Sequence, residues 1–231
     1  MRADTWLRRQ AMSVFLVTGA NRGIGLEYCR QLKSRGQTVV AVCRQNSDEL
    51  KQLSVRIEHV PDLSQEDSIS DLISRLKGLE INTAILNAGI NNVMDINSLD
   101  PESIRQQFEV NALAPLLLAK ASMSCMSYGS KLVFMSSRMG SIQDNTSGGE
   151  YGYRMSKAAL NSAVKSLAID LKGQGISVGI LHPGMVRTRM NLMSNGIPPE
   201  EAVGNLLNRI DQLSLENSGT FWHADGSVLP W

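Results

Sequence analysis

An α/β fold, a single doubly wound parallel sheet with helices on both faces, is what this sequence predicts, and three observations carry that reading. Short β-branched and aliphatic runs alternate with stretches of 3.6-residue apolar spacing from residue 14 onward, the pattern of strands joined by crossover helices. The first such pair is joined by a glycine-rich turn, Thr18-Gly19-Ala20-Asn21-Arg22-Gly23-Ile24-Gly25. No linker or internal repeat divides the chain. One domain is therefore expected over residues 13–231, with residues 1–12 a disordered leader or a mis-assigned start.

Composition narrows the function classes. The 231 residues are 42% hydrophobic and 19% charged, enough for one full-sized core. A net charge of +1 supplies no general field for nucleic acid or an anionic membrane, and no apolar run is long enough to span a bilayer. Cys29, Cys43 and Cys125 are odd in number and widely spaced, and His59, His182 and His223 are scattered. Neither set has the spacing of a disulfide framework or a metal site, so no metal and a reducing, cytoplasmic setting are expected. The first thirteen residues hold three arginines but not the apolar core of a secretory signal.

The elements follow in order. Val14 to Val17 reads as a buried strand and Leu26 to Leu32 as a helix, the context in which a glycine turn means phosphate binding. Free N–H groups at the helix start, with the helix dipole, suit a pyrophosphate, and glycines permit its close approach. Thr38 to Cys43 is the second strand. At its end a dinucleotide-binding unit that prefers NAD(H) places an acid for the ribose 2′-hydroxyl. Here Cys43 and Arg44 stand instead, with Arg22 in the glycine turn able to reach the same corner. Guanidinium groups suit phosphate oxygens, so NADP(H) is favoured over NAD(H).

Val55 to Val60 is a third strand, with Asp62 at the sheet edge where an adenine would rest and Ser64 the expected cap of the next helix. Strand four, Asn82 to Leu86, ends in Asn87-Ala88-Gly89, small residues that let a cofactor pass close to the backbone. Pro101 opens a helix carrying Asn111 in its interior, a poor helix residue. Pro115, four positions on, lacks the N–H that would bond the Asn111 carbonyl. Lys131 to Met135 is strand five and precedes Ser136-Ser137. A polar loop, Arg138 to Glu150, leads into a long helix from Tyr151 to about Lys172. Strand six, Ile176 to Leu181, runs into His182-Pro183-Gly184, and a helix near Pro199 to Leu213 and a last strand at Thr220 to Trp222 follow. The sum is Rossmann-like.

Tyr153 and Lys157 are four apart at a helix start and project from one face. An ammonium beside a tyrosine stabilises phenolate and is expected to lower a pKa that is otherwise about 10. Tyr151 competes, but Met155 stands four residues after it.

Together with the glycine turn, Asn87-Ala88-Gly89, Asn111, Ser137 and Pro183-Gly184, this order resembles the short-chain dehydrogenase/reductase family from Val14 to the end of the chain. Ser136 to Ile142, Asp144 to Gly149, and the run from Gly219-Thr220-Phe221-Trp222 to Pro230-Trp231 are similar to its C-factor and sniffer carbonyl-reductase subgroup. The resemblance implies a catalytic set of Asn111, Ser137, Tyr153 and Lys157. Tyr153 would protonate the substrate oxygen, Lys157 would tune it and bind the nicotinamide ribose, Ser137 would orient the carbonyl, and Asn111 would hold a relay water. It implies a cofactor site of Gly19, Asn21, Arg22, Gly23, Ile24, Gly25, Arg44, Asp62, Leu63, Asn87, Ala88, Gly89, Pro183, Gly184, Val186 and Thr188, besides Tyr153 and Lys157. Ser137 and Tyr153 stand sixteen positions apart, a few more than is common in the family, and Ser136 is the alternative to Ser137.

The substrate expected is a small carbonyl or alcohol, enclosed by the methionine-rich segment Arg189 to Ile197. A homodimer or homotetramer is expected from the family likeness, and neither nucleic acid nor membrane is an expected partner. Two other readings stand beside the reductase: an NADP(H)-sensing or signalling protein of the same fold, and an enzyme that epimerises or dehydrates a nucleotide sugar.

Overall fold

The computed structural model describes residues 12–190 and 195–231. Residues 1–11 of the expected leader, and Asn191 to Ser194 of the expected closing segment, lie outside the described residues.

Strands β1 (Val14–Thr18), β2 (Thr38–Cys43), β3 (Arg56–His59), β4 (Thr83–Leu86), β5 (Lys131–Met135), β6 (Ser177–His182) and β7 (Phe221–His223) form one sheet in the order β3-β2-β1-β4-β5-β6-β7. Every neighbouring pair is parallel. The helices are α1 (Gly23–Ser34), α2 (Asp48–Gln52), α3 (Glu66–Leu76), α4 (Pro101–Phe108), α5 (Ala114–Ser122), α6 (Tyr151–Asp170) and α7 (Pro199–Gln212).

Parallel strands buried on both faces need apolar side chains on both. Alternation along the strands sorts these into two layers. Val40, Val42, Leu132, Phe134, Val178 and Ile180 face α3, α5 and α6. Val39, Ala41, Cys43, Val133, Met135 and Leu181 face α1 and α7. The chain reverses its direction of winding between β1 and β4, which opens a crevice at the carboxyl ends of the two strands.

Local chemistry explains the element ends. Asp100 caps α4 by accepting from Glu102 N at 3.0 Å, with Pro101 in the first turn. Lys131 Nζ donates to the Ile210 carbonyl at 2.7 Å and the Asp211 carbonyl at 3.2 Å, closing the C-terminus of α7. Three details differ from the sequence reading. Ser64 does not cap α3; its N–H and hydroxyl both bond Asp62, the stronger acceptor, and Gln65 takes the cap position. The short helix α2, capped by Ser47 accepting from Leu50 N at 3.2 Å, was not anticipated. The Pro101 helix is also not one regular helix: residues Glu109–Leu113 form a π-helical turn between α4 and α5, with Asn111 inside it.

Candidate active site

The glycine turn sits on the crevice. Gly19 and Gly23 have φ of +67° and +54°, backbone that glycine adopts without strain. A Cβ on Gly19 would stand 3.0 Å from the Ala88 Cα and 3.1 Å from the Asn87 amide nitrogen. One on Gly25 would overlap the Gly19 carbonyl and lie 2.7 Å from the same amide. The turn and Asn87-Ala88-Gly89 are therefore one corner, and Thr18 fastens it. Its Oγ1 accepts from Asn87 N at 2.9 Å and Ala88 N at 3.0 Å, while Asn87 Nδ2 donates to its carbonyl at 3.0 Å. Thr18 was not among the predicted site residues. Its signal was a β-branched hydroxyl at the last strand position before the glycines.

Arg22 caps α1 through its backbone only, so the first N–H groups of a twelve-residue helix have no side-chain acceptor. This cradle fits a pyrophosphate. Asn21 stands at its rim, and Thr188 lies against Gly23, 3.4 Å from where a Cβ would be. Ile24 turns its side chain toward the apolar layer beneath α1 and offers the site its backbone alone. Arg22 and Arg44 are exposed and make no ion pair among the described residues. Burial pushes the Asp62 carboxyl up. Ser64, bonding it through N–H and hydroxyl at 2.8 and 2.7 Å, wins, and with help from the Arg44 charge holds it below the usual carboxylate range. Leu63 packs its side chain partly against the core.

Deeper in the crevice, α6 presents Tyr153 half-buried and Lys157 fully buried one turn on. Lys157 Nζ donates to the Met135 carbonyl at 2.8 Å and lies 5.7 Å from the centre of the Tyr153 ring. A Cβ on Gly89 would be 3.7 Å from that nitrogen and 3.0 Å from Asn111 Oδ1. Ser137 opens a single 3-10 turn, Arg138–Gly140, and its hydroxyl reaches the Tyr153 phenol. Ser136 points elsewhere, donating to Asn161 Oδ1 at 2.5 Å, and Tyr151 is exposed at the helix start. Gly140 brings the Ser137 turn onto α6, since a Cβ there would be 2.8 Å from the Lys157 carbonyl carbon.

Asn111 is 1% exposed and acts as a bracket. Its Oδ1 accepts from Ile90 N at 2.8 Å, and its Nδ2 donates to Ile90 O at 2.8 Å and Ser156 Oγ at 3.0 Å. Gln107, four residues earlier and fully buried, accepts from Asn92 N at 3.1 Å and donates to Asn92 O at 3.3 Å. Sequence reasoning missed Gln107, because a buried glutamine and a solvated one look alike in a polar helix.

Burial dominates the electrostatics. The Tyr153 phenol is pushed up to about 12 by burial, a rise the Ser137 hydrogen bond opposes and the Glu150 charge reinforces. The Lys157 ammonium is pushed down to about 8 by burial. Burial, rather than the neighbouring Lys157, sets the direction of the Tyr153 shift in this structure. The ammonium lies 5.7 Å from the centre of the Tyr153 ring and bonds the Met135 carbonyl. At neutral pH, Tyr153 is the protonated acid and Lys157 is mostly charged. His182 is pushed down to about 3, chiefly by burial, so its ring is neutral.

After β6, Pro183 is half-buried and Gly184 has φ +81°, with a Cβ there 3.3 Å from His223 Nε2. Buried Val186 pairs with Ile197, bringing both ends of the closing segment together. Among the described residues no cluster of His, Cys, Asp and Glu could hold a metal, and no helix is long and apolar enough to cross a membrane.

A family model described as short chain dehydrogenase matches residues 13–195. The chain is 39% identical to a 1-hydroxy-2-glutathionyl-2-methyl-3-butene dehydrogenase of Rhodococcus sp. (strain AD45), over 95% of this chain and 100% of the relative. It is similar in structure to the carbonyl reductase Sniffer of D. melanogaster, with a TM-score of 0.88 and 31% identity over 95% and 99% of the two chains. It is also similar to a carbonyl reductase of Pseudomonas aeruginosa PAO1 solved in complex with NADP, with a TM-score of 0.86 and 35% identity over 96% and 100%.

Proposed function

The chain belongs to the short-chain dehydrogenase family, in a carbonyl reductase-like subgroup, and from that premise we propose that it reduces a small carbonyl compound with NADPH, with Tyr153 as general acid. The observation that carries this reading is the placement of Tyr153 between the Ser137 hydroxyl and the Lys157 ammonium, next to the glycine cradle.

The nicotinamide cofactor supplies the hydride, and the chain supplies position and a proton. Free N–H groups from Gly23 to Gly25, with Gly19 and Asn21 at the turn, hold the pyrophosphate. Arg22 and Arg44 hold the 2′-phosphate, Asp62 and Leu63 flank the adenine, and Asn87, Ala88 and Gly89 line the adenosine passage. Pro183, Gly184, Val186 and Thr188 hold the carboxamide end. Lys157 bonds the nicotinamide ribose, with Asn111 the candidate relay behind it. Ser137 donates to the carbonyl oxygen and stabilises the charge that develops on it. Tyr153, protonated at neutral pH, gives that oxygen its proton. The solved NADP complex of the Pseudomonas reductase supports the choice of cofactor by likeness.

Self-association into a homodimer or homotetramer belongs to the same reading. The outer faces of α4 and α6 expose Phe108, Tyr151 and Met155, and sedimentation as a monomer at micromolar concentration contradicts it. The test of the function is titration with NADPH and NADH by nicotinamide fluorescence, followed by a panel of small ketones, quinones and aldehydes. Tight NADPH binding, weak NADH binding and turnover of a panel member support the reading; absence of binding to either cofactor refutes it.

A further inference from the structure

Tyr153 stands in the first turn of α6, and that turn lacks the usual anchors of a helix start. Glu150 holds the cap position with left-handed backbone, φ +52° and ψ 38°, and its side chain caps nothing. No acid stands in the first turn to meet the free N–H groups. What holds the turn comes from outside the helix. The Glu150 N–H donates to the Met94 carbonyl at 2.8 Å, which ties the start of α6 to the segment after β4. That segment is bound in turn to α4. Gln107 grips Asn92 through N–H and C=O, and Asn92 Nδ2 donates to Ser103 Oγ at 3.0 Å.

Gln107 also meets α6 directly. A Cβ on Gly152 would stand 2.5 Å from Gln107 Nε2 and 3.3 Å from its Cδ. Gly152 lies inside α6 without a positive φ, so its backbone does not call for glycine there; room for the Gln107 amide does. Asn111, four residues after Gln107, repeats the pattern. It grips both backbone groups of Ile90 and donates to Ser156 Oγ, four residues after Gly152. Ser156 Oγ donates to the Tyr153 carbonyl at 2.8 Å. Gln107 and Asn111 therefore each join one residue of the 90–92 segment to one residue of α6, and Tyr153 lies between the two points of contact. Gln107 and Ser156 are fully buried, as is Gly152.

We propose that Gln107 is a positioning residue: through Gly152 it fixes the first turn of α6, and with it where the Tyr153 phenol meets the substrate oxygen. This rests on the reductase reading and adds to it a residue that touches neither substrate nor cofactor. A proton donor works at hydrogen-bond range, and a displacement of about 1 Å can cost about 10²-fold in rate. The cofactor cradle is fastened separately, by Thr18 at Asn87 and Ala88 and by Asn111 at Ile90.

The test is steady-state reduction of the small carbonyl that the wild type turns over fastest, with NADPH titration of each protein. Gln107→Ala removes the contact from one side. Gly152→Ala keeps Gln107 and pushes its amide aside, although helix propensity alone favours the alanine. Rates are taken where circular dichroism shows each variant folded; if Gln107→Ala does not fold, Gly152→Ala decides alone. Each variant is expected to lose roughly 10–100-fold in kcat. The KM for the carbonyl and the Kd for NADPH should move by no more than about threefold. The double variant should be no slower than Gln107→Ala, because both changes break one contact. A Gly152→Ala kcat within about threefold of wild type overturns the proposal, as do losses that multiply in the double variant. A parallel fall in kcat and NADPH affinity marks a structural role alone and also overturns it. A wild type that binds NADPH but reduces no carbonyl of the panel counts against the reductase reading itself, and the positioning role falls with it.

Discussion

Replacing Thr18 by valine removes one hydroxyl oxygen and keeps the β-branched shape that suits the end of a strand. Thr18 is 2% exposed, and that oxygen accepts from two backbone N–H groups, Asn87 at 2.9 Å and Ala88 at 3.0 Å. Asn87 N keeps a second acceptor, the Ile85 carbonyl at 3.1 Å, so the valine leaves Ala88 N without a partner, at about 1–3 kcal/mol. For a chain of this size each kcal/mol moves Tm by roughly 2–4 °C, which places the fall at roughly 2–12 °C. Urea and thermal unfolding without cofactor measure it, and Thr18→Ser, which keeps the acceptor, should recover most of the loss. NADPH binding should weaken in the valine variant as well, because the corner that lines the cradle loses its fastening. A valine variant within about 0.5 kcal/mol of wild type, or a serine variant as unstable as the valine one, refutes the reasoning.

Other consequences separate neighbouring residues. Ser137→Ala should lower kcat by about 10²–10³ and, because its hydroxyl caps the 3-10 turn by accepting from Met139 N at 3.2 Å, also cost about 0.5–2 kcal/mol. Ser136→Ala, which leaves Asn161 Oδ1 without its donor, should cost about 1–3 kcal/mol and spare kcat; initial rates tell them apart. Lys157 has a folded-state pKa of about 8, below its unfolded value of about 10.4. The native state releases that proton first, so this group makes stability rise with pH from about 8 to 10. Lys157→Met should abolish that part of the rise in urea midpoints. Loss of the same charge should make carbonyl reduction by the wild type fall as pH passes about 8, well before Tyr153 titrates. Arg44→Asp should raise the Kd for NADPH by about 10–100-fold, the worth of a charge-assisted hydrogen bond, without weakening NADH; equal effects on both cofactors in a fluorescence titration contradict the 2′-phosphate assignment.

The sheet was legible because its strands are buried on both faces. Runs such as Thr38–Cys43 and Lys131–Met135 leave little room for another period. The glycine turn, Tyr153 and Lys157 were legible because spacing alone brings them to one edge and one helix face. Other features depend on partners far apart in the chain. The Gln107 grip on Asn92, the Thr18 fastening and the turning of Ser136 to Asn161 are side-chain bonds between distant segments, and no local pattern encodes them. The π-helical turn at Asn111 was hidden for a related reason. Asn111 and Pro115 both mark a weak helix, but only the bracket to Ile90 shows what the irregularity serves. The acidity of Tyr153 was hidden for another reason: spacing reports that an ammonium is near, while burial, the first cause of both shifts, is a property of the packed molecule.

The most direct test of the account is NADPH consumption with the small-carbonyl panel by wild type and Tyr153→Phe, alongside NADPH titration of both proteins. The account predicts turnover by the wild type and a loss of at least about 100-fold in Tyr153→Phe, with NADPH affinity changed by no more than a few-fold. A phenylalanine variant that turns over at the wild-type rate contradicts it.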